Sequence, residues 1–187
     1  GGDAALNKIN ADKNHDIGYP GTAVINDSAN KTKTATFKKM KGRGNYTWTY
    51  SKRPYQVSFD EKISMLGMPK SKKWLFITNY TDGSLTRSAM FYKLTQELGI
   101  QYAITFETAD VYINGKYNGT YLVTSKVESG TNRVEITDSD YLMEIDNYTD
   151  PIQFTTERTN KKITIKSPDV EDATVEEQQA VINAAKA

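Results

Sequence analysis

The chain has 187 residues and no cysteine. That absence excludes disulfides, zinc ribbons and thiol catalysis together. It leaves open both the cytosol and a bacterial surface that does without disulfides. Histidine occurs once, at His15 in a polar turn, so neither a Ser-His-Asp triad nor an HExxH zinc helix can be built. No apolar run approaches the roughly 20 residues that a membrane span needs. Net charge is only +1, so no global field draws the chain to nucleic acid or an anionic membrane. Any phosphate binding must come from local clusters of cations.

What is present reads as one folded domain, residues 1–187. Charged residues make up 25% and apolar ones 37%, the balance of a globular protein and not of a disordered one. Tyrosine is abundant, with 12 residues, and Asn-x-Ser/Thr triplets start at Asn26, Asn30, Asn45, Asn79, Asn118 and Asn147. In so Asn- and Thr-rich a chain most of these read as chance matches. Gly1-Gly2 and the lack of a signal peptide read as an excised piece of a longer chain.

The stretch KGRGNYTWTYSKRPYQVSF, residues 41–59, carries the densest chemistry. Its Lys41-Gly42-Arg43-Gly44-Asn45 turn allows close backbone approach. Lys and Arg around exposed N–H groups make a concavity suited to phosphate. Lys52 and Arg53 follow before a Pro-led strand. The same residues read equally well as a surface hairpin whose charges keep an edge strand soluble.

Along the chain, residues 4–9 read as a first strand. Asp12 to Asp16 imitates the start of a calcium loop, but Ile17 and Ala23 stand where Gly and Glu are required, so it reads as a turn. Strands are expected over Thr22–Asn26 and Thr34–Lys41, the latter with Ala35, Phe37 and Lys39 on one side. The apolar loop from Ile63 to Pro69 must pack onto something. A helix capped by Asp82 or Ser84 should carry Leu85, Ala89, Met90, Leu94 and Leu98 on one face and end at Gly99. Arg87, in its first turn, opposes the dipole and calls for a nearby anion.

Asn114-Gly115 predicts a hairpin between Ala109–Ile113 and Thr120–Val127. Strands follow at Arg133–Ile136, Tyr141–Asp146 (apolar enough to be central), Ile152–Thr156 and Lys162–Lys166. Thr174 and Glu177 form a capping box for a last helix with Val175, Val181, Ile182 and Ala185 on its face. The expected fold class is therefore α+β: a mainly antiparallel sheet with two helices.

The motifs KGRGNYTW, KRPYQVSFD, LGMPKSKKW, NYTDGSLTRSAMFYKLTQELG, VYINGKYNGTYLVTSKVE, NRVEI and YLMEID follow one another as in the CotH-like (spore coat protein H) family. The resemblance runs from about residue 4 to 178. It implies the small, N-terminal lobe of an atypical protein kinase that transfers the γ-phosphoryl of ATP to serines of secreted or spore-coat proteins, with magnesium. It makes Lys41, Arg43, Lys52 and Arg53 candidates for holding phosphate. Arg87, Glu128 and Glu144 become candidates for the ion pairs that position them.

The chain departs from the family pattern at Ser125, where Glu is usual, and at Gly83, where Lys is common. The family's WDFD-like metal motif and catalytic Asp lie beyond residue 187. The resemblance therefore implies a partial nucleotide site, without catalysis by these residues alone. It also implies a bacterial extracellular, cell-surface, cellulosomal or spore-coat setting and a Ser-rich protein partner.

A second reading of the same fold is a non-catalytic surface module that binds protein or glycan. Nucleic-acid binding is disfavoured by an isoelectric point of only about 8.0. Glu144 and Asp146 could suggest a glycosidase pair, but alternate carboxylates at a strand end are simpler.

Overall fold

The computed structural model describes residues 2–29, 31–131, 133–137, 139–146, 152–168, 170 and 173–186. The fold is α+β, and the named strands of the described residues pair antiparallel. The chain divides into two compact units, residues 1–126 and 127–187.

The first unit opens with a helix, α1 (Asp3–Ala11), where a strand was expected. Leu6 and Ile9 are three apart, the spacing of one helix face, and Ile9 is buried. Alanine and leucine around them favour the helix. Then come β1 (Gly18–Asn26), β2 (Thr32–Gly42), a single 3-10 turn (Tyr46–Thr49), β3 (Tyr55–Ile63) and β4 (Ser71–Ile77). Helix α2 (Arg87–Glu97) and the hairpin β5 (Phe106–Ile113) and β6 (Lys116–Ser125) complete the unit. The six strands lie in the order β1-β2-β3-β4-β6-β5.

Strand alternation gives this sheet two faces. The inner face presents Val57, Phe59, Trp74 and Val123, roofed by Ile63, Met65 and Met68 of the apolar loop. Further along the same face, Tyr55 and Tyr121 pack with Ile9 and Trp48. The apolar loop thus packs on the core, as its composition required.

A β-bulge decides what β2 shows to each face. Tyr19 pairs with Met40 but Gly21 with Phe37, so three steps on β2 answer two on β1. The shift falls at Pro20, which has no N–H to give the ladder. Ala35, Phe37 and Met40 therefore face the core, and Lys39, expected beside Phe37, does not. Its stem crosses Gly18 and its Nζ donates to Asp16 O at 2.9 Å.

Asn114 and Gly115 both take positive φ, as the two-residue hairpin turn demands. Helix α2 differs from expectation. It begins at Arg87, after Leu85 at φ 57, and none of its residues is buried. Of the expected core face, Met90, Leu94 and Leu98 are exposed while Leu85 and Ala89 are half-buried, and Phe91 is exposed as well. Tyr92 is the anchor, meeting Phe106 at 5.8 Å between ring centroids on the outer face. Gly99, at φ 65, ends the helix as expected.

In the second unit, β7 (Leu142–Asp146), β8 (Gln153–Thr155) and β9 (Lys162–Ser167) form a sheet ordered β7-β9-β8. The YLMEID strand is an edge and β9 is central, so Met143 and Ile145 are exposed. Only an isolated bridge, Ser129 to Val134, stands where a strand over Arg133–Ile136 was expected. Helix α3 (Val175–Lys186) packs Val181, Ile182 and Ala185 against Ile152 and Ile165. Val175, expected on that face, is exposed. Its capping box is formed: Thr174 Oγ1 accepts from Glu177 N–H at 3.3 Å, and Glu177 Oε2 from Thr174 N–H at 2.9 Å.

Candidate functional site at the glycine-rich turn

Strand β2 ends where β3 begins, and Gly42 pairs with Tyr55 there. Gly42 faces inward against two rings. A Cβ at this position would lie 2.4 Å from Trp48 Cη2 and 2.7 Å from His15 Nδ1. Only glycine lets the turn close on them. His15 sits edge-on to Trp48 at 4.6 Å and shares a 2.5 Å hydrogen bond between Nε2 and Gly44 O. The one histidine therefore pins the Gly-rich turn, a role its sequence context in a polar turn does not disclose.

Alternation from inward Met40 and Gly42 places Lys41 and Arg43 on the outer face. Arg43 is half-buried, and burial lowers its pKa, while the Tyr92 hydroxyl acts electrostatically to raise it. An arginine stays charged under such a shift. Among the described residues no carboxylate accompanies Arg43, and Lys41 forms no ion pair. A partly desolvated guanidinium without an anion has N–H groups free to donate to one.

Lys52 and Arg53 go to the other side. Lys52 Nζ donates to Thr78 O at 3.1 Å and to Thr120 O, and lies 4.5 Å from the centre of the Tyr121 ring. Burial depresses its pKa. Gly119, at φ 101, leaves the room: a Cβ there would be 3.0 Å from Lys52 Cε. The Arg53 guanidinium stacks 4.8 Å from the Trp48 ring, and its carbonyl accepts from Tyr121 O–H at 2.9 Å. The structure thus brings the four candidates together as two pairs on opposite faces, not as one cluster.

Arg87 is exposed, and its anion is Asp82 at 3.7 Å. Asp82 also accepts from Ser84 O–H at 2.6 Å and from Arg87 N–H at 2.8 Å. It thereby serves the start of α2 from five residues upstream. These bonds, Ser84 first and the Arg87 amide second, hold its carboxyl below the usual carboxylate range. A depressed folded pKa means stability that is complete above the unfolded value, about 3.9, and lost as pH falls through the folded one. Asp82→Asn should therefore lower the melting temperature at pH 7, by a difference that shrinks as pH falls below about 3.9. A pH-independent difference would show that the carboxylate is not what holds α2.

In the second unit, Glu144 lies 3.8 Å from Lys166 at the surface, an ion pair of small energetic weight. Glu128 acts on Arg133, opposing the fall that burial gives that arginine's pKa. Among the described residues no group of three or more acids or histidines is placed to hold a metal. No helix among them is long and apolar enough to cross a membrane.

The Gly-rich turn of this antiparallel sheet thus carries Lys41 and a half-buried Arg43, beside which no carboxylate stands among the described residues. The family model described as CotH kinase protein matches residues 40–186. The chain belongs to the CotH kinase protein family, and its function is kinase-related. A search of curated proteins gives no match.

Proposed function

We propose that the chain is the N-terminal lobe of a CotH-type protein kinase, and that Lys41 and Arg43 hold the phosphates of ATP. The full kinase would pass the γ-phosphoryl to serine hydroxyls of secreted or spore-coat proteins. The half-buried Arg43, without a carboxylate beside Lys41 at the Gly-rich turn, carries this reading. Two cations on one face match a polyphosphate.

The donor set fits the phosphates of ATP but not its magnesium, whose ligands need carboxylates brought together. On this reading residues 1–187 bind nucleotide without turning it over, because in-line transfer depends on a held metal and a base. Lys52 and Arg53 support the site from behind, fixing the strand that follows the turn. Tyr92 backs Arg43 from α2.

Calorimetric titration with ATP and magnesium tests this. Arg43→Ala should weaken binding about tenfold or more, as loss of a charge-assisted contact does. Lys41→Ala should weaken it by a smaller factor. Binding that both variants retain unchanged would overturn the assignment.

A further inference from the structure

Two identical triplets, Asn45-Tyr46-Thr47 and Asn79-Tyr80-Thr81, are far apart in sequence and meet in the fold around Tyr50. The Tyr50 and Tyr80 rings stack at 4.6 Å with an interplanar angle of 17°. Tyr46 stands at 85° to Tyr50 at 5.6 Å. The result is a corner with one stacked wall and one upright ring. Tyr46 is 74% exposed and Tyr80 47% exposed.

Ring contacts and one hydrogen bond hold the rings in place. Ser51 Oγ donates to Tyr80 Oη at 3.3 Å. Thr49 Oγ1 donates to Tyr46 O at 2.7 Å. Ordering these side chains before a ligand arrives removes an entropy cost from binding. None of the three rings belongs to the hydrophobic core.

The chemistry around the rings selects the ligand. Residues 44–51 (GNYTWTYS) and 78–81 (TNYT) contain no charged side chain. Lys52, next in sequence, has its ammonium turned to Thr78 O and Thr120 O. A nucleic acid would need cations for its phosphates, and an acidic peptide would need them too. What suits flat phenol faces beside neutral hydroxyls and amides is a pyranose: one apolar C–H face and a rim of hydroxyls.

We propose that the Tyr46–Tyr50–Tyr80 corner is a carbohydrate-binding platform for β-1,4-linked pyranosides with equatorial substituents, whose C–H faces are flat enough to stack. It uses no residue of the proposed nucleotide site, so either assignment can fail without the other.

The test is an NMR titration of the 187-residue chain with β-1,4-linked hexasaccharides of glucose and of N-acetylglucosamine, and with an α-1,4-linked glucose hexasaccharide for comparison. Saturable binding of a β-linked sugar is expected, weakened about tenfold by Tyr46→Ala or Tyr80→Ala, the cost of one stacking ring. Tyr112→Ala, at a ring 65% exposed on the β5–β6 hairpin, should change nothing. Tyr80→Leu keeps bulk while removing the phenol and should behave like Tyr80→Ala. The proposal is overturned by the absence of saturation at about 10 mM sugar, below any useful affinity. It is equally overturned by affinity that the corner variants leave intact, or by the α-linked sugar binding as well as the β-linked ones.

Discussion

Trp74→Ala is expected to remove about 3–5 kcal/mol of stability, the range for deleting a large buried aromatic. Trp74 has no exposed surface and lies in β4 among Val57, Phe59, Ile63, Met65, Met68 and Val123. Its indole N–H donates to Ser71 O at 3.1 Å, across the turn that brings the apolar loop into β4. Removing the ring opens a cavity and frees that loop together. Whole domains are stable by only about 5–15 kcal/mol, so this variant should be partly unfolded at 37 °C. Urea denaturation followed by far-UV circular dichroism measures it. Trp74→Phe should fall between, since it keeps most of the volume but leaves the Ser71 carbonyl without its donor. A cost under about 1 kcal/mol for the alanine variant would mean that the core is not centred on this ring.

Lys52→Met comes next, at about 1–3 kcal/mol. Methionine keeps the stem and removes the ammonium, leaving the carbonyls of Thr78 and Thr120 to lose their shared donor. Thr78 is 2% exposed, so water cannot easily replace the lysine. The cation above the Tyr121 ring is lost as well. This variant separates two roles that the sequence leaves merged. If Lys52 is architectural, the variant melts lower, and nucleotide binding measured well below the melting temperature stays within about twofold of the original. If its ammonium turns to a phosphate, binding falls by an amount comparable to the Arg43→Ala loss.

The contrast between Lys52 and Arg43 shows why charge alone does not make a site. Arg43 lies in the Gly-rich turn, Lys52 follows it, and both are half-buried. One has two carbonyls and a ring to satisfy it. The other has no carboxylate beside it among the described residues, and the Tyr92 phenol acts on it electrostatically. An unpaired cation is what an anionic ligand can exploit, and a paired one must first be released. Arg53, stacked on Trp48, resembles Lys52 in this respect.

Features set by neighbouring residues were legible in the amino-acid sequence. Asn114-Gly115 makes its turn because both positions need positive φ, which these residues tolerate. Gly99 ends α2, and Thr174 with Glu177 caps α3, through bonds that span no more than a few residues. The α+β class, the antiparallel pairing and the packing of the loop from Ile63 to Pro69 followed from patterning. So did family membership, which rests on motif order over most of the chain.

Tertiary structure alone decided which side of the sheet each functional residue occupies. One extra residue in β2 opposite Pro20 replaces Lys39 with Met40 on the inner face and turns Lys41 and Arg43 outward. A bulge is fixed by register against a partner strand, and a side-chain period of two offers no means of locating it. Helix α1 replaced a strand because Ile9 had Trp48, Tyr55 and Tyr121 to pack against, partners distant in sequence. Met90, Phe91 and Leu94 of α2 stayed exposed for the converse reason: periodicity states which residues share a face, not whether anything lies opposite. The meeting of Tyr46, Tyr50 and Tyr80 likewise depends on two loops that only the paired strands bring together.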